Sequence, residues 1–163
     1  MSIDAPLSLH RDTVRPDWID FNGHMNVAYY VLAFDHATDK FFDWLGLDEA
    51  YRQATNRSTF ALEHHVVYLR EVGLGDPLRF TTQLIDHDAK RVHYFHCMYH
   101  ERDGYLAATS EIISMHIDLG TRRSVALMPP DDARIVALAA AHAALPRPEQ
   151  CGRVIGIRRT KRP

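Results

Sequence analysis

The chain has 163 residues, enough for one domain with a real core and short for two. Hydrophobic residues make up 46% and charged residues 25%, which excludes disorder over the whole length. The formal net charge is -2, from 19 basic and 21 acidic residues, so the basic excess of a dedicated nucleic-acid binder is missing. The two cysteines, Cys97 and Cys151, cannot make a disulfide framework and read as free thiols in a reducing compartment. Met1 to Pro6 shows neither the basic nor the apolar stretch of a signal peptide. No run approaches the roughly 20 apolar residues a membrane span needs. The expectation is a cytoplasmic protein with no nucleic-acid and no membrane partner.

In chain order, Leu7 to Val14 reads as a short strand that Arg15-Pro16-Asp17 ends, because Pro16 cannot donate to a ladder. A polar stretch from Asp17 to Gly23 follows. Tyr30, Phe34, Ala37, Phe41 and Leu45 then recur at helical spacing. Asn22 or Asn26 suits the N-cap of that helix and Gly46 its C-terminal stop; the helix spans about five turns. Asp48 to Thr55 reads as a short second helix, and Thr59 to Leu69 as a strand. Gly73, Gly75, Asp76 and Pro77 mark a turn. Leu78, Phe80, Thr82 and Leu84 alternate with polar residues in a half-buried strand. Asp86 to Lys90 fits a hairpin connection to a strand from Val92 to His100. The Asp103-Gly104 pair turns the chain into a last strand, Tyr105 to Leu119, with Ile113, Met115, Ile117 and Leu119 on one face. Pro129-Pro130 opens an alanine-rich helix, Asp131 to Leu145.

The order strand, long helix, antiparallel meander predicts an α+β domain. One sheet needs its apolar face covered, and the early helix is the long element available to cover it. Residues 1–145 form the single domain, followed by a basic, loosely ordered tail, 146–163.

Chemistry concentrates just before the long helix, in Asp20-Phe21-Asn22-Gly23-His24-Met25-Asn26. A carboxylate at a helix start, beside unpaired backbone N–H groups, can serve as general base or nucleophile while those groups polarise a carbonyl. The same residue types also suit an Asx-turn and an N-cap for purely local reasons, so spacing alone leaves both readings open.

The stretch Val14 to Tyr30 resembles the first motif of hotdog-fold acyl-CoA thioesterases of the 4-hydroxybenzoyl-CoA thioesterase type. Asp20, Gly23, His24 and Asn26 fit its spacing, and Tyr30 fits a tyrosine found one turn into the helix. Tyr68-Leu69-Arg70-Glu71 with Gly75-Asp76 is similar to the family's second strand and turn. The resemblance spans roughly residues 7–120. It implies a hotdog fold and hydrolysis of a thioester to a carboxylic acid and CoA, without a cofactor. It also implies Asp20 as the catalytic carboxylate, acting as nucleophile or base, with Gly23 or its neighbours supplying N–H groups. Asn22 and His24 resemble site positions of plant acyl-ACP thioesterases, and Glu71 approximately matches their glutamate. Other hotdog thioesterases take a carboxylate from the helix, where this chain has Asp35 and Asp39. The resemblance further implies a homodimer or homotetramer with the site between subunits.

Other constellations point elsewhere. Of the eleven histidines, His64 and His65 face opposite ways on a strand, as do His93 and His96. His96 and His100 share a face but stand roughly 13 Å apart. No local metal chelate results, and no metal is expected. Cys97 reads as a strand cysteine. Arg153, Arg158, Arg159, Lys161 and Arg162 make a solvated basic end, with contact to CoA phosphates as the other reading. Trp18, Phe21, Tyr29, Tyr30, Phe34 and Trp44 are mostly core. Trp18, Asn26, Tyr30 and Phe34 are the residues expected to touch substrate. The chain resembles the hotdog thioesterases of carnitine breakdown that act on betainyl-CoA, whose trimethylammonium group prefers aromatic faces. The alternative function is a non-catalytic acyl-CoA-binding hotdog module. A hotdog dehydratase is disfavoured by the absence of His-Phe-Pro-Gly.

Overall fold

Pro16 ends the first strand as its ring requires. β1 runs Leu7–Thr13 and a single 3-10 turn follows at Pro16–Trp18. α1 spans Val27–Leu45, with the Asn26 side chain accepting from the Ala28 N–H and Gly46 in the left-handed region at φ 85°. Its stripe Tyr30, Phe34, Ala37, Phe41 and Leu45 is buried, together with Ala33 and Phe42. Each large apolar side chain sunk there contributes about 1.5–3 kcal/mol. α2 covers Glu49–Thr55, capped by Asp48, whose side chain accepts from the Tyr51 N–H at 2.8 Å. The strands that follow are β2 (Arg57–Tyr68), β3 (Pro77–His87), β4 (Arg91–His100), β5 (Leu106–Asp118) and the two-residue β6 (Arg123–Ser124). α3 is Asp131–His142. The computed structural model describes residues 3–127 and 131–157. Pro129, Pro130, Arg158, Arg159, Lys161 and Arg162 lie outside them.

The strands form one antiparallel sheet in the order β1-β3-β4-β5-β2, with β6 on β5. Cross-strand rows define its inner face. Thr82 pairs with His96, His96 with Ser110 and Ser110 with Val66; Leu84, Tyr94, Ile112 and His64 make the next row. α1 lies on this face. One buried cluster joins Tyr30, Phe34, Phe80 and Met98; a second joins Phe41, Phe42, Leu45, Tyr94 and Ile112 to Ile135 and Leu138 of α3. His96 sits fully buried at the centre, with Thr82 Oγ1 2.9 Å from Nδ1 and Thr38 Oγ1 3.0 Å from Nε2. Burial pushes its pKa down to about 3, so the ring is neutral.

Some boundaries differ from expectation. β3 continues past Asp86 to His87, and Asp88 closes a shorter hairpin by accepting from the Lys90 and Arg91 N–H groups at 2.8 and 2.7 Å. The last helix stops at His142 rather than Leu145. There His142 Nδ1 accepts from the Leu84 N–H at 3.0 Å, and Nε2 donates to the Asp4 carbonyl at 3.1 Å. On β5 the face turned to α1 carries Ala108, Ser110, Ile112, Ser114 and His116, all buried, whereas Ile113 and Met115 are half-buried on the other face. The tail expected to be loosely ordered makes specific contacts as far as Gly152. Cys151 Sγ donates to Glu111 Oε1 at 3.2 Å and the Gly152 N–H to Oε2 at 2.6 Å. Residues 146–150 share a cleft with Gln83, Phe95 and Cys97 of the outer sheet face, which explains why Phe95 is buried.

Candidate active site

The loop between the 3-10 turn and α1 is closed by its own backbone. Ile19 bridges Met25, the Asp20 N–H donates to the His24 carbonyl at 3.2 Å, and the Gly23 N–H donates to the Asp20 carbonyl at 3.0 Å. Gly23 takes φ 81°, a conformation other residues adopt at a cost, so the tightness of the turn accounts for the glycine. Its N–H is spent on that turn and is not free to meet a ligand. The Asp20 carboxylate is oriented from both sides. Oδ1 accepts from the Asn22 N–H at 2.8 Å, and Oδ2 accepts from Asn26 Nδ2 at 3.2 Å. Asn26 meanwhile caps α1 through Oδ1, which accepts from the Ala28 N–H at 3.0 Å. One side chain thus ties the carboxylate to the helix start. The first turn of α1 contains no acidic residue, so its positive end is not offset there.

The segment after β2 packs against this loop. The Met25 N–H donates to the Val72 carbonyl at 2.9 Å, the Val72 N–H donates to the Tyr30 hydroxyl at 3.3 Å, and the Tyr105 hydroxyl donates to the Glu71 carbonyl at 3.0 Å. Burial pushes the Tyr30 phenol up to about 12. His24 Nε2 stands 3.9 Å from Glu71 Oε2, within ion-pair range and beyond a hydrogen bond. His24 Nδ1 lies 3.3 Å from the Met25 carbonyl. Trp18 is buried and stacks on Tyr29 at 5.6 Å, with the Arg15 guanidinium 4.8 Å from its ring centre.

The structure therefore gathers Asp20, Asn22, Gly23, His24, Asn26 and Glu71 in one place, with Trp18 and Tyr30 beneath them. Phe34 belongs to the same buried cluster as Trp18, Met25 and Tyr30. That ring is fully buried, 5.8 Å from Phe80 and 6.2 Å from His96, centroid to centroid. Sequence reasoning missed a cavity of about 310 Å³ between α1 and β2, whose lining includes Ala28, Leu32, Asp35, Thr38, His64 and Tyr94. Alternation placed His64 opposite His65 but could not say which of them faced the helix.

Two groups of three metal-ligating side chains also meet across elements, His10 with Asp12 and His36, and His93 with Glu111 and Cys151. Both carboxylates already have partners. Arg15 Nη2 donates to Asp12 Oδ1 at 3.2 Å, and Glu111 accepts from Cys151 and Gly152.

Comparison with known proteins gives the family and the fold. The chain belongs to the thioesterase-like superfamily, whose family model matches residues 14–141, and its curled antiparallel sheet around α1 is the hotdog fold. It is 42% identical, over 93% of its length and 95% of the relative's, to a betainyl-CoA thioesterase of Pseudomonas aeruginosa. It is 34% identical over 97% of its length to an L-carnitine dehydrogenase/betainyl-CoA thioesterase of Rhizobium meliloti, of which it spans 32%. Among solved structures, a hypothetical protein of Staphylococcus aureus in complex with CoA superposes with TM-score 0.88 at 33% identity, covering 97% of this chain and 100% of the other. A putative thioesterase of Pseudomonas putida superposes with TM-score 0.83 at 34% identity, covering 96% and 99%. No described helix is long and apolar enough to cross a membrane.

Proposed function

We propose that this chain hydrolyses betainyl-CoA, a short cationic acyl-CoA, to its free acid and CoA, with Asp20 as the essential carboxylate. The observation that carries this reading is the 42% identity, over nearly the full length of both chains, to a betainyl-CoA thioesterase. The oriented carboxylate at a helix start gives it a chemical basis. Relatives that join the same thioesterase to L-carnitine dehydrogenase in one chain support a place in carnitine metabolism.

Asp20 takes a proton from water, and the water oxygen bonds to the thioester carbonyl carbon. The charge on the carbonyl oxygen develops toward the start of α1, where the helix end favours it. The C–S bond then breaks, and the proton held by Asp20 goes to the CoA thiolate. Asn22 and Asn26 hold the carboxylate in place, and His24 stands near Glu71 beside it.

The working unit in this proposal is a cytoplasmic homodimer or homotetramer with the site between subunits. Its support is β2, which ends the sheet and pairs only with β5 among the described strands. Phe60, Leu62, Tyr68 and Leu69 are exposed along and just beyond it, as are Val31 and Leu32 on α1. Light scattering should give a mass of at least two chains; a monomer would contradict this part. The catalytic reading is tested by thiol release from betainyl-, acetyl-, benzoyl-, hexanoyl- and palmitoyl-CoA. Betainyl-CoA should turn over fastest. Silence on every ester, with CoA esters still bound, would make the chain a binding module instead.

A further inference from the structure

The cavity between α1 and β2 has walls of Ala28, Val31, Leu32, Ala61 and Ile112. Its polar lining is largely committed elsewhere. Thr38 Oγ1 donates to the Phe34 carbonyl at 3.0 Å, His64 Nε2 lies 2.7 Å from Ser110 Oγ, and the Tyr94 hydroxyl lies 3.0 Å from Ser114 Oγ. Among the described residues no lysine or arginine lines it, and Asp35 is its one carboxylate. Burial pushes the His64 imidazole below its ordinary range, so at neutral pH it does not offset that charge. Asp39 follows one turn on, and burial together with Asp35 raises its carboxyl. Asp43, the third acid of the row, is paired with Lys40 at 3.0 Å. Acids four residues apart repel each other on a helix, so helix stability does not account for Asp35 and Asp39.

The cavity wall begins two residues beyond Asn26, at Ala28. Ala28 in its wall is the residue whose N–H Asn26 caps, and the same Asn26 donates to Asp20. Asn26 thus stands between Asp20 and the near end of an apolar cavity whose one charged wall residue among the described residues is Asp35.

We propose that this cavity is the seat of a quaternary ammonium acyl head, and that Asp35, supported by Asp39, makes the site selective for a cation over an uncharged group of the same shape. The inference rests on the hydrolase reading above and adds the residues that set its acyl specificity. Asp35 lies seven residues beyond Ala28 on the same helix face, ~10 Å along the axis. Its charge acts across the cavity rather than by contact. At an effective dielectric near 20, unit charges ~8 Å apart still favour the cation roughly 30-fold.

The test compares betainyl-CoA with 3,3-dimethylbutyryl-CoA, its uncharged isostere, on wild type, Asp35→Asn and Asp35→Glu. Wild type should prefer the cationic ester in kcat/KM. Asp35→Asn should lower the ratio of the two esters by about tenfold or more, chiefly through the cationic one, and Asp35→Glu should restore most of it. A ratio in Asp35→Asn within twofold of wild type overturns the proposal, as does an equal loss on both esters. Binding of the matching thioether analogues, trimethylammonioethyl- and dimethylbutyl-CoA, reads the same ratio without catalysis. Wild type that hydrolyses neither ester but binds the cationic analogue more tightly through Asp35 would refute the hydrolase reading and uphold this one.

Discussion

Asn26 performs two jobs that substitution can separate. Its Oδ1 caps α1 at Ala28 and its Nδ2 donates to Asp20. Asn26→Ala removes both. The cap is worth about 1 kcal/mol, which in a domain of this size lowers Tm by about 2–4 °C. The bond to an ionised carboxylate is worth about 1.5–3 kcal/mol, and if it holds Asp20 in its working position, kcat falls roughly 10–100-fold at nearly constant KM. Asn26→Asp keeps an oxygen for the cap, so Tm should stay within about 1 °C of wild type, since Asp and Asn cap about equally well. It sets a second carboxylate where Asp20 had a donor, so the acid limb of the pH–rate profile should move to higher pH. Thermal melts and steady-state thiol release, run on both variants, read the two effects independently. Wild-type kcat with an unmoved pH profile in Asn26→Asp would refute the assignment of Asn26 to Asp20.

Three further outcomes follow from the packing. His96 has a pKa lowered to about 3 by burial, so the unfolded state binds its proton first as pH falls below about 6.5. It therefore contributes stability above that pH, lost toward pH 3 at up to about 1.4 kcal/mol per unit; urea midpoints of His96→Gln should depend less steeply on pH than wild type over this window. Burial raises both thiols, Cys151 to about 11, so the native protein at pH 8 should react with Ellman's reagent far more slowly than the denatured chain, and fast native labelling would contradict the packing of residues 146–152. His142→Ala leaves the Leu84 N–H without its acceptor and should cost about 1–3 kcal/mol in urea unfolding, whereas a change under about 0.5 would show that the α3–β3 contact is loose.

Much of the fold was readable because one periodicity dominated each element. The aromatic stripe from Tyr30 to Leu45 has a single helical solution, and Leu78 to Leu84 alternates cleanly because β3 is polar on one side. β5 misled because it is covered on both sides. Small and hydroxyl residues such as Ala108 and Ser110 are buried on the inner face, while Ile113 and Met115 are half-buried on the outer one. The geometry of the candidate loop was legible because its parts are adjacent in sequence: Asp20, Asn22, Gly23 and Asn26 make contacts within six residues. The cavity was not, because Asp35, His64 and Tyr94 come together only through the pairing of β2, β5 and β4. Phe34 shows the opposite limit. Helical spacing places it on the buried stripe but cannot distinguish core from site.

In the proposed reaction Asp20 works on a thioester. The direct measurement is thiol release from betainyl-CoA by wild type and Asp20→Asn, with melting curves recorded on both. In Asp20→Asn kcat should fall about 10³-fold with the fold intact, since the Asn22 N–H can still donate to the amide oxygen while the bond from Asn26 Nδ2 is lost. Turnover within tenfold of wild type would contradict this role of Asp20.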